Sequence, residues 1–195
     1  MAEHVIISSN KLYSGKISLR LYKYHMGNKI LEKEIVEHQD SVGIIPLDKK
    51  DNIILVEQFR IATGNNLLEI PAGKIESGET PDTAALREMN EEIGFSGKLT
   101  PLFQCYLAPG YDTDKMYFFL ASELKLSKKR LPQDEDEEIK IRRMKLSSAL
   151  EKCLSGQIID CKTIAAIMMI LKIKKRGVQH RHQRRLNEKS IKQGR

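Results

Sequence analysis

"GKIESGETPDTAALREMNEEIGF", residues Gly73 to Phe95, carries more structural information than any other part of this 195-residue chain. Thr80 followed by Pro81 is a helix start: a hydroxyl N-cap, then proline at the first helical position. Gly94 is a helix stop, because glycine enters the left-handed conformation without a Cβ penalty. The spacing predicts a helix over Pro81–Ile93. At roughly 100° per residue, Glu88, Glu91 and Glu92 fall within about 100° of arc. Ala85, Met89 and Ile93 make an adjoining apolar stripe suited to a core. One helix therefore presents three carboxylates beside its buried face.

The commonplace reading of such a cluster is a solvated acidic face. Two features weigh against it. The acids lie toward the C-terminal end of the helix, where the macrodipole disfavours negative charge. No lysine follows any of them at i+4 within the helix. A bound divalent cation resolves both conflicts, and hard oxygen ligands in this number suit Mg²⁺ or Mn²⁺.

Working outward, the flanks are rich in strand patterns. "KISLRLYKY" (Lys16 to Tyr24) alternates apolar and polar residues, "MGNK" is a turn, and "ILEKEIVEH" follows as a second strand. "SVGIIPL" and "NIILVEQF" are β-rich runs joined by "DKKDN". "LLEIPAG" leads into the opening stretch. "KLTPLFQCYL" and "KMYFFLA" are strand candidates around the loop "APGYDTD", and "IKIRRM" follows the acidic run "QDEDEE". Two helices close the body. One is expected to begin near Ser147 or Ser148, with Glu151 completing a capping box to Ser148. The other is expected from Asp160 and carries "IAAIMMILKI". Strands with a few interspersed helices predict a mixed sheet covered by helices.

Composition bounds the rest. Length suits one main domain with an appendage. The apolar run Ile164–Ile173 is about half the roughly 20 residues that a membrane span needs, so it reads as a buried helix. "MAEHVIISSN" lacks a basic segment followed by an apolar one, so no signal peptide is expected. Cys105, Cys153 and Cys161 show no paired or metal-ligand spacing, which fits reduced thiols and a cytoplasmic protein. The net charge of +7 is unevenly placed. Lys172–Arg195 holds ten Lys/Arg and one acid, Glu188, so the body is close to neutral. The basic tail 176–195 reads either as an electrostatic grip on nucleic acid or an anionic surface, or as a solubilising segment; the latter is the commoner case.

The opening stretch also resembles the Nudix box, G-x5-E-x7-R-E-U-x-E-E-x-G-U with U apolar. Gly73, Glu79, Arg87, Glu88, Glu91, Glu92 and Gly94 occupy every fixed position, and Met89 and Phe95 the apolar ones. With each residue type at roughly 5–7% abundance, such a match arises by chance on the order of once in 10⁸ starting points, so the signal is specific. Nudix enzymes hydrolyse a nucleoside diphosphate linked to a further moiety. The resemblance implies an α+β fold, a mixed β-sheet sandwiched between helices. It implies Glu88 and Glu92 as principal metal ligands, Glu91 as a ligand or near-ligand, and Arg87 and Glu79 as partners bracing loop and helix. It implies Mg²⁺, with Mn²⁺ an alternative, neutralising the diphosphate and activating water.

Flanking motifs narrow the resemblance. "VEQFR" (Val56 to Arg60), "LLEIPAG" (Leu67 to Gly73), "APGYDTDKMYFFLA", "DEDEEIKI" and "GQIIDCKTIAAI" look like the ADP-ribose pyrophosphatase branch, across Ser14 to Lys172. Ala108-Pro109-Gly110 departs from that branch's usual Ser-Pro-Gly but keeps the proline. By this analogy Arg60 contacts a substrate phosphate or the terminal ribose; the plainer reading of Arg60 is an ion pair with a nearby acid. Pro109 and Gly110 belong to the substrate loop, and the Ala72 carbonyl adds a metal ligand. In the acidic run, Glu135 aligns as general base, with Glu137 the second candidate and a further metal ligand. Residues 1–40 match the branch's extra antiparallel sheet, which implies a homodimer. Tyr13, Tyr22 and Tyr24 are candidates for an adenine platform, although each type more often simply packs. The expected organisation is residues 1–40 as the dimerising extension, 41–175 as the hydrolase domain and 176–195 as the tail. The expected substrate is ADP-ribose, with another nucleoside diphosphate sugar such as GDP-mannose, or RNA engaged through the tail, as the alternatives.

Overall fold

The structure is a computed structural model and describes residues 4–132 and 138–175. The expected base Glu135 and its alternate Glu137 lie outside the described residues, as does the basic tail. In chain order the first strands are β1 (His4–Ser14), β2 (Ser18–Met26), β3 (Lys29–Glu37), β4 (Ser41–Pro46), β5 (Asn52–Arg60), β6 (Asn65–Glu69) and β7 (Ala72–Lys74). Helix α1 (Pro81–Ile93), β8 (Phe95–Tyr106), β9 (Lys115–Leu126), β10 (Ile139–Lys145) and α2 (Leu146–Leu154) follow. A last helix, α3, runs over residues 161–175. Of the described residues, 4–49 with 71–132 make one compact unit, and 50–70 with 138–175 make another.

In the first unit, β1, β2 and β3 form an antiparallel sheet. Gly27, at φ 62°, supplies the left-handed residue of the two-residue β2–β3 turn. A second sheet has the order β7-β4-β9-β8 and is mixed, since β4 and β9 run parallel while the other pairs are antiparallel. Strand β4 is buried along its whole length, which explains its continuous apolar sequence rather than an alternating one. Helix α1 packs on β4, β7 and β8 through Ala84, Ala85, Met89 and Ile93. Its bounds are those expected from Thr80, Pro81 and Gly94.

In the second unit, β10, β5 and β6 form an antiparallel sheet. Ile53, Leu55, Leu146, Ala149, Ile158, Ile167 and Ile170 fill its core. Asp160 caps α3, accepting from the Thr163 amide at 3.0 Å. The mixed sheet with helices and the additional N-terminal antiparallel sheet are therefore as the sequence led one to expect.

One local expectation fails. Helix α2 starts at Leu146, before the serines, with Lys145 at the N-cap and no side-chain cap bond; the Ser148–Glu151 capping box does not form. Leu146 is drawn into the core and its amide donates to the Asp51 carbonyl at 2.9 Å, so packing sets the start. Strand β1 carries no simple alternation: two register shifts, between Ile6 and Ser8 and between Lys11 and Tyr13, break the period-2 pattern.

Candidate active site

The box lies wholly in the first unit. Its first residues, Gly73 and Lys74, belong to β7 at the edge of the mixed sheet, which pairs to Ser41–Gly43 of β4. Its helix begins at Thr80, whose side chain accepts from the Thr83 amide, with Thr83 returning the bond in a capping box. It ends at Gly94, at φ 70°, whose amide reaches the Asn90 and Met89 carbonyls. These two ends fix the rotation of α1, and with it the side on which Glu88, Glu91 and Glu92 emerge.

Arg87 is the hub of the cluster. Its Nε and Nη2 donate to Glu79 at 2.8 and 3.0 Å, and Nη2 also donates to the Lys74 carbonyl at 2.9 Å. Nη1 donates to Glu88 at 2.7 Å and to Glu91 at 2.8 Å. One guanidinium thus joins the 74–79 loop to the helix and draws two box carboxylates together. Glu79 holds Arg87 firmly protonated, and Arg87 in turn lowers the Glu79 pKa.

This corrects the electrostatic premise drawn from sequence. No lysine partners the acids at i+4, but Arg87 and Glu91 are an i,i+4 pair. Arg130, far along the chain, donates to the Glu92 carbonyl at 2.9 Å and supplies the cation that the last turn of α1 lacks. Arg87 therefore answers part of the acidic crowding, and Arg130 answers the carbonyl end of the helix. Among the described residues no group of three His, Cys, Asp or Glu converges as a ready metal cluster.

The fit to a divalent cation rests instead on two features of the cradle. Glu92 is 2% exposed, yet it is a carboxylate on the core side of the helix, with Oε2 accepting from the Ala72 amide at 3.2 Å. This holds a carboxylate directly against the backbone of β7. Gly73 is the other feature: a Cβ at this position would overlap the Glu88 carboxylate. The backbone of β7 and two helix carboxylates thus meet at a point that tolerates no side chain. Carboxylate and carbonyl oxygens are the donor set that Mg²⁺ takes, and the residues present fit it.

Pro109 and Gly110 lie in the loop between β8 and β9. Strand β3 holds that loop: the Val36 amide donates to the Tyr111 carbonyl at 2.7 Å, and the Thr113 amide donates back to the Val36 carbonyl at 3.1 Å. A cleft of about 460 Å³ opens beside it, lined by Asp40, Tyr106, Pro109, Asp112, Thr113 and Lys115. That volume suits a small organic ligand.

Arg60 belongs to the second unit, at the end of β5. Its Nε and Nη2 fork onto Glu69, each at 2.8 Å, and Lys162 bonds the same carboxylate. Lys162 is in turn 3.0 Å from Asp160. Glu69 is 1% exposed. Burial pushes its pKa up, but Arg60 and Lys162 outweigh burial and hold it below the ordinary carboxylate value. Glu69, Lys162, Asn90 and Arg130 were not singled out from the sequence. Glu69 lies within "LLEIPAG", but nothing in a strand pattern marks an acid as buried.

A family model for the NUDIX domain matches residues 37–160. An ADP-ribose pyrophosphatase of Bacillus subtilis is 36% identical over 171 residues, 86% of this chain and 92% of that protein. An ADP-ribose pyrophosphatase of Mycobacterium tuberculosis is 32% identical over 176 residues, covering 87% and 85%. A GDP-mannose pyrophosphatase of Salmonella arizonae is 30% identical over 180 residues, covering 84% and 93%. Among solved structures, one of an ADP compounds hydrolase superposes with a TM-score of 0.79 over 89% of this chain and 95% of that one, at 23% identity, a likeness of fold. With an intact box on a capped helix and a family match over most of its length, the chain belongs to the NUDIX family of hydrolases.

Proposed function

We propose that the chain hydrolyses the diphosphate of ADP-ribose, with Mg²⁺, to AMP and ribose 5-phosphate. The observation that carries the reaction type is the cradle itself, in which Glu88 closes on Gly73 and Glu92 on Ala72 at the edge of a sheet. The choice of ADP-ribose is supported by likeness to two ADP-ribose pyrophosphatases. The similar degree of likeness to a GDP-mannose pyrophosphatase keeps a GDP-sugar as the second reading.

Glu88, Glu91 and Glu92, with the Ala72 carbonyl, would hold the ion, Mn²⁺ substituting for Mg²⁺. When bound, it supplies charge neutralisation of the diphosphate and a lowered water pKa. Arg87 keeps Glu88 and Glu91 drawn together through Nη1. Arg60, pre-oriented by its fork on Glu69, offers its guanidinium to a phosphate or ribose of the substrate. Glu135 takes the proton from the attacking water, with Glu137 as the alternative base.

A hydrolysis panel with Mg²⁺ tests this: ADP-ribose, GDP-mannose, UDP-glucose, NADH, diadenosine polyphosphates and capped RNA. ADP-ribose is expected to be cleaved fastest, and a faster GDP-mannose reaction would transfer the proposal to GDP-sugars. In the same assay Glu135→Gln is expected to lower turnover by about 10²–10⁴-fold. Near-parental turnover in that variant would move the base to Glu137 or elsewhere.

The N-terminal sheet leaves Val5, Ile6, Leu12, Tyr13 and Ile30 exposed. That apolar surface supports a homodimer built on this sheet. Light scattering should give twice the chain mass, and a monomer at micromolar concentration would remove the proposal.

A further inference from the structure

The C-terminal turn of α1 is closed in part by a segment that lies outside the box. The last four carbonyls of a helix have no partner within it, and they carry its negative dipole end. In α1 this end also bears the acidic cluster, and no basic residue lies in its last turn. The Gly94 amide satisfies the Asn90 carbonyl at 2.9 Å. Arg130 satisfies the next two: Nη2 donates to Glu92 at 2.9 Å, and Nε and Nη2 reach the Glu91 carbonyl at 3.4 Å. The stem of Arg130 lies against Gly94, where an added Cβ would meet its Cδ at 3.5 Å. The Ser127 amide then donates to the Gly94 carbonyl at 3.0 Å.

Asn90 completes the closure. It occupies the open position between Met89 and Glu91, where the box accepts any residue. Its Nδ2 donates to the Lys129 carbonyl at 3.2 Å and its Oδ1 accepts from the Leu131 amide at 3.0 Å. Both ends of the amide are thereby used on one short backbone segment, and the Arg130 side chain between them turns back onto the helix. The segment from Ser127 to Leu131 is clasped to the very turn that carries Glu91 and Glu92.

We propose that Asn90 and Arg130 are positioning residues for the divalent-ion cradle; this rests on the metal-dependent reading above. Helix ends fray when their carbonyls lose donors. Fraying the last turn of α1 moves two carboxylates of the cradle, whereas its start, held by Thr80, is unaffected. The clasp therefore acts on ion affinity before it acts on overall stability. Charge alone makes the opposite prediction: removing the Arg130 cation from beside an acidic cluster would tighten cation binding.

Direct Mn²⁺ binding, followed by the loss of the free-ion signal in electron paramagnetic resonance, separates these. Arg130→Gln and Asn90→Ala are each expected to raise the Mn²⁺ dissociation constant about fivefold, the size of a lost charge–dipole contact or hydrogen bond. Arg130→Lys, which keeps a charged donor, should restore most of the affinity. In turnover, the Mg²⁺ concentration for half-activation should rise while KM for ADP-ribose at saturating Mg²⁺ stays put. Urea midpoints identify any variant that fails to fold, and the Arg130→Lys comparison then stands in its place. Mn²⁺ binding equal to or tighter than the parent's in both folded variants overturns the clasp. Glu92→Gln is the control: if it binds Mn²⁺ as the parent does, or if the parent binds none, the metal reading itself fails and the clasp with it.

Discussion

Glu92→Gln is expected to lose turnover by roughly 10³-fold: under the proposed function Glu92 is one of the carboxylates that would hold the ion, and its removal would forfeit several kcal/mol of transition-state stabilisation. The fold should survive. Glu92 is nearly fully buried, and its Oε2 accepts the Ala72 amide at 3.2 Å. A glutamine keeps that acceptor and nearly the same volume. It also removes one buried negative charge from a helix end that disfavours it. The urea midpoint should therefore be unchanged or higher, a gain in stability where function is lost. Steady-state turnover at saturating Mg²⁺, read beside the urea melt, tests both halves. Turnover within tenfold of the parent would remove Glu92 from the ion site.

Glu69→Ala should have the largest effect on stability. It leaves Arg60 and Lys162 without the carboxylate they share, and breaking a buried ion pair by removing one partner costs about 3–5 kcal/mol. The lower end applies here, since the Arg60 side chain is 38% exposed and solvent screens it. The loss should depend on pH in a defined direction. The folded-state pKa of Glu69 is lowered, so its stabilisation is complete above the unfolded value and is lost as pH falls through the folded one. At neutral pH the parent should exceed the variant by the full amount. Below the ordinary carboxylate range the two urea midpoints should converge. A gap that stays constant into acid would mean that packing, not charge, is what Glu69 contributes.

The two residues illustrate how differently a sequence exposes its parts. Glu92 was legible because a helix has a fixed period: Thr80, Pro81 and Gly94 set its ends, and 3.6 residues per turn then places three glutamates on one side. Most strands were legible for the same kind of reason, since alternation or a continuous apolar run reports whether one face or both are covered. Where the local period breaks, as at the two register shifts of β1, the strand could not be read. Where local chemistry and packing disagree, packing prevailed, as when Leu146 rather than Ser148 began α2.

The sequence by itself determined the helix that carries the acids, the order and type of most elements, and the family. It did so because caps, periods and motif spacing act over a few residues along the chain. What only the tertiary structure decided was the company those residues keep. Arg87 answers Glu91 and Glu79, Arg130 returns across 38 residues to the end of α1, and Lys162 reaches Glu69 across 93. Whether a charge is exposed or paired depends on distances through space. Spacing along the chain does not encode those distances until the sheets have set them.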